Sequence, residues 1–266
     1  MNSLFDKVPF NLKGKINYIL EIIRNYKDWY LIFFKRLFKI HTKKVYLRNG
    51  IVAIGGTKSL ILDLIDEIFI KRIYNPDFMC INIGDTVMDI GANIGIFSLY
   101  AAKQGAKKIY AIEPLSQNIP FIKSNFKINK LKVPNIDNVA ISDKIGIGKL
   151  YLGDLDSHGL LFDHNFKKKF SKYKEVKTLT LNKIFKIHKI DKIDFLKIDC
   201  EGSEGEIIKS TQKDIWKRVN KIVIEYHDKV STLSRQEIVE KLNKNGYKTE
   251  VETTGELFSY IYAWRR

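Results

Sequence analysis

In the stretch DIGANIG, residues 89–95, an acid stands at the end of an apolar run, and two glycines flank an asparagine before a helical stretch opens at Ile96. Glycines at 91 and 95 let the backbone approach a bound group closely. Glu113 ends the next apolar run, 24 residues after Asp89, where an acid can accept hydrogen bonds from both hydroxyls of a ribose. The spacing is D-x-G-x-N-x-G and not the dinucleotide pattern G-x-G-x-x-G, so the turn alone is a weak pointer. Two later strand ends carry ionisable groups. KIDCEG ends on Asp199 and Glu201, and IVIEYH sets Glu225 and His227 two apart, on one side of an extended strand. A neutral imidazole or a carboxylate placed there can take the proton from an attacking hydroxyl, with His227 as acceptor and Asp199 or Glu225 orienting it or the substrate. Read structurally, Asp199 and Glu201 are instead a solvated acidic loop before a helix. Asp199, Glu201, Glu225 and His227 also offer enough donors for a divalent ion that grips two hydroxyls; no metal site is assigned from the sequence.

The elements that must position these groups follow from periodicity. Strands read at 86–91, 108–113, 135–142, 193–199 and 220–226, and helical stretches at 94–104, 116–129, 204–214 and 234–245. Runs such as KIVIE and KIDFLKID are apolar nearly throughout, which predicts burial on both faces and a parallel sheet covered by helices. The alternation breaks over 143–190, an insertion suited to covering a substrate, with His158 and His164 either reaching over the substrate or serving as polar loop residues. Ser203 and Glu206 have capping-box spacing, so Glu206 reads as structural. The tail from Gly246 reads as two strands around Thr254-Gly255. Before the sheet, residues 15–40 carry apolar groups at helical spacing, either a lid on the main domain or an interfacial membrane helix flanked by Lys and Arg. Asn49-Gly50 predicts a hairpin, and 59–73 a helix with Ser59 as cap. The division expected is 1–75, a helical extension with a β-hairpin, and 76–266, the main domain.

The motifs LRNG, VMDIGANIGIFS, AIEP, NVAISDKIG, DFLKIDCEGSE and IVIEYH, in that order between Tyr46 and Asp228, resemble class I S-adenosylmethionine-dependent methyltransferases, and more narrowly the FkbM family. The resemblance implies an α/β fold, a Rossmann-like seven-stranded, mostly parallel sheet with helices on both faces and a terminal antiparallel hairpin. It implies that Asp89, Gly91, Asn93 and Gly95 surround the amino acid part of S-adenosyl-L-methionine and that Glu113 holds its ribose. Asn138 would lie near the adenine with backbone of Val139 and Ala140, or else serve as a turn former. Asp199 would meet the cofactor's amino group or a substrate hydroxyl, with Lys197 and Glu201 nearby. The implied activity is O-methyl transfer to a sugar, a glycan precursor or another secondary metabolite.

Composition limits the alternatives. The 266 residues are 45% hydrophobic, enough for one substantial core. The net charge of +16 would suit nucleic acid or an anionic membrane surface, which keeps open an RNA methyltransferase or a membrane-surface binding module without catalysis. The excess is nearly all lysine, and no arginine lies between Ile73 and Lys217, so the central region lacks the planar fork that reads phosphates and guanines. Nucleic acid is therefore not the expected partner; the resemblance implies a small-molecule or glycan substrate, with peripheral membrane contact through 15–40 as a further option. Two cysteines are too few for a disulfide framework, and the first 30 residues lack the layout of a signal peptide. A cytoplasmic location, peripheral to the membrane if 15–40 docks there, is the expectation.

Overall fold

The structure is a computed structural model and describes residues 12–38, 40–56, 60–152, 159–160, 172–228, 230–253 and 258–265. The chain opens with helices α1 (Leu12–Asn25) and α2 (Trp29–Leu37), then the antiparallel pair β1 (Lys44–Tyr46) and β2 (Val52–Ile54). Gly50 has φ +84° in the hairpin turn, as Asn49-Gly50 predicts. Helix α3 (Ile61–Ile65) runs on as a π-helical turn over Asp66–Ile70. Ser59, the expected cap, lies outside the described residues. Next come β3 (Thr86–Ile90), α4 (Ile96–Lys103), β4 (Lys108–Ile112), α5 (Ile119–Ile128) and β5 (Asn135–Asp137). These are followed by β6 (Ala140–Ile141), β7 (Gly146–Leu152), β8 (Gly159–Leu160), β9 (Tyr173–Leu179) and α6 (Leu181–Ile187). The chain ends with β10 (Ile193–Ile198), α7 (Glu204–Ser210), α8 (Lys213–Trp216), β11 (Val219–His227), α9 (Arg235–Lys244), β12 (Lys248–Thr253) and β13 (Phe258–Trp264).

Seven strands form the main sheet in the order β12-β13-β11-β10-β3-β4-β5. The pairings from β11 through β5 are parallel, and β13 runs antiparallel to both neighbours. This is the Rossmann-like α/β sheet with a terminal hairpin expected from the sequence; the hairpin turn at 254–257 falls outside the described residues. Alternation along the strands divides the core in two. Val87, Phe195, Val223 and Tyr260 join an apolar cluster with Ile22, Tyr26 and Tyr74 of the extension. Met88, Leu196, Ile222 and Ile261 join the other, with α6, α7 and α9. Both faces are thus buried, as the nearly continuous apolar strands require.

Two regions differ from the sequence reading. The strand expected over 135–142 splits: β5 joins the main sheet, whereas β6 joins β9 in a second sheet ordered β6-β9-β7-β8. Asn138 marks the break, its amide donating to the carbonyls of Glu113 at 2.8 Å and Pro114 at 2.9 Å and so fixing the chain where the ladder ends. Much of 143–190, read as an irregular insertion, is built of β7, β8, β9 and α6. The last is capped by Thr180, whose side chain accepts from the Lys183 amide at 3.2 Å. His158 and His164 lie outside the described residues.

Within the extension, one buried ion pair ties α1 and α2 to the turn that follows α3. Arg36 of α2 meets Asp66 at 2.7 Å, and the same carboxylate accepts from Tyr18 of α1 at 3.2 Å and from Tyr26, just past the end of α1, at 2.5 Å. Asp66 is 1% exposed. Asn125 of α5 and the C-cap residue Asn129, one turn on, then seat the extension by binding the backbone of β2. Asn125 accepts from Ile54 N at 2.6 Å and donates to Ile54 O at 3.0 Å, and Asn129 accepts from Val52 N at 3.0 Å. Asn125 also donates to Ile94 O at 2.8 Å, which couples the seat to the glycine turn. Removing one partner of a buried pair leaves the other charge stranded, so Asp66→Ala should lower the unfolding free energy by about 3–5 kcal/mol in urea titration. A loss within ~0.5 kcal/mol, the range of an ordinary surface change, would show that the pair does not hold the extension together.

Candidate active site

The order of the sheet reverses between β3 and β10, and ligands of open α/β sheets bind outside the carboxyl ends of the strands at such a point. There a cleft of about 1020 Å³, counted out to its open mouth, is lined by Gly91, Ala92, Asn93, Glu113, Leu115, Val139, Ala140, Leu150, Lys197, Asp199, Glu201 and Glu225. The extension supplies Leu64, Glu67, Ile68 and Tyr74 to the same walls.

The turn after β3 needs its glycines. Gly91 has φ +78°, and a Cβ there would stand 1.7 Å from the Asp199 carbonyl oxygen. Gly95 has φ +81° and presses on Ile122 of α5. Asn93, at φ +51°, lends its backbone N–H to Glu113 Oε2 at 2.7 Å. Its side-chain Oδ1 is buried without a hydrogen-bond partner among the described residues. Glu113 also accepts from Leu115 N at 2.9 Å and Asn118 Nδ2 at 3.1 Å. Burial outweighs these donors and pushes its carboxyl up to about 7. Asn138 does not line the cleft; it braces the chain through the two carbonyls described above, whereas Ala140 does line it.

Asp89 lies beneath the turn and not in the cleft wall, 0% exposed, bound by Ser98 Oγ at 2.7 Å. Its register partner on β10 is Lys197, whose Nζ is 3.3 Å from Asp89 Oδ1, 3.1 Å from Asp199 Oδ2 and 3.1 Å from Gly91 O. Burial opposes the charge on Lys197, but Asp199 and Asp89 more than offset it, and its pKa is raised. Tyr74 lies beneath this ammonium, its ring centroid 5.2 Å away. The Tyr74 hydroxyl donates to Glu225 Oε2 and lies 3.4 Å from Asp199 Oδ2, so it joins the two carboxylates. Burial, and then the Asp199 charge, push the Glu225 carboxyl above its usual range. Tyr74 was not legible as a site residue in the sequence.

His227 requires a correction. It was expected as a neutral proton acceptor, but the ring is held between two carboxylates, Nδ1 3.2 Å from Glu204 Oε1 and Nε2 3.4 Å from Glu201 Oε2. Burial opposes its charge, yet Glu204 and then Glu201 prevail and raise its pKa well above 6.5. An imidazolium has no free lone pair, so the ring anchors Glu201 and is not poised as a base. Glu204, 0% exposed, also accepts from Gly202 N at 3.0 Å. The capping box expected of Ser203 and Glu206 does not form. Ser203 has ψ 5°, not the extended cap conformation, and its hydroxyl makes no cap bond. Asp199, Glu201 and His227 each bring one ligand atom within 4.8 Å of the others and could hold a divalent ion once the ring gives up its proton; Glu225 is outside that group.

Two outcomes follow. Glu113 keeps in the folded state a proton that the unfolded chain has lost above about pH 4.5. Its contribution to stability is full below about pH 4.5 and disappears as pH rises through about 7, a change of up to about 3 kcal/mol. In urea titrations across this range Glu113→Gln should flatten that decline; parallel wild-type and variant curves would exclude it. Lys197→Met strands Asp89 and Asp199 and should lower stability by about 3–5 kcal/mol in the same measurement, whereas a neutral change would remove Lys197 from its structural role.

A family model described as the methyltransferase FkbM domain matches residues 89–249. The 31-O-demethyl-FK506 methyltransferase FkbM of Streptomyces tacrolimicus is 25% identical over 214 residues, 70% of this chain and 81% of that protein. Protein arginine N-methyltransferase 6 of Xenopus tropicalis is 36% identical over 67 residues, 23% of this chain and 20% of its own. Among solved structures, a methyltransferase FkbM from Methylobacillus flagellatus KT aligns with 68% of this chain and 44% of that one, at 15% identity and a TM-score of 0.46. The family match spans the glycine turn, Glu113 and the ends of β10 and β11, and the chain belongs to the FkbM methyltransferase family.

Proposed function

We propose that this chain moves a methyl group from S-adenosylmethionine to a hydroxyl of a sugar, a glycan precursor or another secondary metabolite. The observation that carries this reading is one cleft holding both a glycine turn with an unpartnered buried amide oxygen and a carboxylate pair bridged by Tyr74. Membership of the family supports methyl transfer, and the relative that bears an O-demethyl acceptor in its name supports the choice of oxygen.

The residues present fit this donor. Gly91 and Gly95 leave the turn free of side chains, Asn93 Oδ1 has acceptor capacity to spare, and Glu113 faces the same cleft with a carboxylate that suits ribose hydroxyls. Leu115, Ala140, Ile141 and Leu150 give an apolar slot for a purine. When bound, the donor supplies a methyl on a cationic sulfur, an electrophile that needs no further activation. The acids Asp89, Asp199, Glu201 and Glu204 outnumber Lys197 and His227 around the site, which favours a cationic ligand.

Asp199 is the group we assign to accept the hydroxyl proton, because Glu225 is engaged by the Tyr74 hydroxyl and His227 is held between Glu204 and Glu201. Lys197 and Tyr74 fix its Oδ2, and its side chain is 23% exposed at the cleft. A placed carboxylate contributes about 10²–10⁴ in rate, and alignment of the reacting atoms about 7–11 kcal/mol. Glu201, held by His227, is positioned to orient the acceptor.

The test is transfer of labelled methyl to a panel of hydroxyl-bearing acceptors, beside calorimetry with S-adenosylhomocysteine. The expected result is S-adenosylhomocysteine binding and label on oxygen. Asp199→Asn should keep that affinity within severalfold while turnover falls ~10²-fold or more. Unchanged turnover would remove Asp199 from the base role, absent binding would sink the donor, and label found in RNA instead would overturn the acceptor class.

A further inference from the structure

Apolar residues of α1 and α2 do not all turn inward. Ile22, Tyr26 and Ile32 are buried, whereas Tyr30 and Phe34 are each 58% exposed, Phe38 57% and Leu37 54%. Tyr30, Phe34 and Leu37 recur at helical spacing, so the solvent face of α2 is aromatic and aliphatic for its whole length. On α1, Ile16 is 48% and Leu20 39% exposed. The stripe read from the sequence as a lid or an interfacial membrane helix is therefore divided, and its outer half makes ring contacts within itself, Trp29 on Tyr30 and Phe34 on Phe38. Exposed apolar surface concentrated in this way marks an interaction site.

The charges around it choose the partner. Arg24, Lys27, Lys43 and Lys44 are exposed. The two acids of the stretch, Glu21 and Asp28, are half-buried, and Glu21 pairs with Arg24 at 3.4 Å. Arg36 turns inward onto Asp66, which holds α2 rigidly with its aromatic face outward. Aromatic and aliphatic side chains rimmed by cations, on helices too short to cross a bilayer, fit the interface of an anionic lipid surface. We propose that α1 and α2 dock this protein on anionic membranes through Tyr30, Phe34, Leu37 and Phe38, with Lys43 and Lys44 meeting the headgroups.

The experiment is cosedimentation of the full chain with vesicles of phosphatidylcholine alone or mixed with phosphatidylglycerol, with the oligomeric state followed by light scattering. The full chain should sediment with the anionic vesicles, more weakly with neutral ones, and less as salt is raised. Phe34→Ser with Leu37→Ser should reduce the bound fraction at least about tenfold with S-adenosylhomocysteine affinity unchanged. Lys43→Glu with Lys44→Glu should abolish the preference for phosphatidylglycerol. Failure of the wild-type chain to sediment would overturn the proposal. So would a dimer that the Phe34 and Leu37 changes dissociate, since the face would then join two copies of the chain.

Discussion

A single buried ammonium, that of Lys197, holds the working end of the sheet together. It joins β3 to β10 through Asp89, grips the glycine turn through the Gly91 carbonyl, and fixes Asp199 at the mouth of the cleft. Tyr74 and Phe97 put aromatic faces against it, at 5.2 and 5.8 Å from their centroids. An unpaired charge in this position would be strongly disfavoured. The flanking carboxylates make Lys197 tolerable, and Lys197 makes them tolerable in turn. The turn, the acid and the extension are thus parts of one electrostatic unit.

That unit occupies one side of the sheet because of strand alternation. Asp89, Lys197 and Glu225 share phase with Val87, Phe195 and Val223, whose cluster includes the extension, while Met88, Leu196 and Ile224 face the other helices. Parallel pairing aligns the ends of β3, β10 and β11, so residues distant in sequence arrive side by side. The second sheet closes the opposite end, where Leu150 of β7 meets Ala140 and Leu115.

Local chemistry decided what was legible in the sequence. The turn at 89–95, the strands and Glu113 could be read because positive-φ glycines and long apolar runs leave marks within a few residues. Tyr74 could not, since it meets Asp199 across 125 positions and nothing nearby distinguishes it from a core tyrosine. His227 was located by its strand but not its charge, because Glu204 and Glu201 come from another segment. Glu204 was overshadowed by Ser203 and Glu206, whose spacing imitated a cap. The strands β7 and β9 were hidden by exposed lysines among their few buried residues, Leu150, Val176 and Thr178.

The amide ladder from Asn125 and Asn129 to β2 reads only peptide groups of the strand it holds. Side chains of the extension can therefore vary through evolution with little effect on this part of its attachment, as long as β2 remains extended. Because Asn125 also binds the Ile94 carbonyl, the roof stays in step with the glycine turn under such drift.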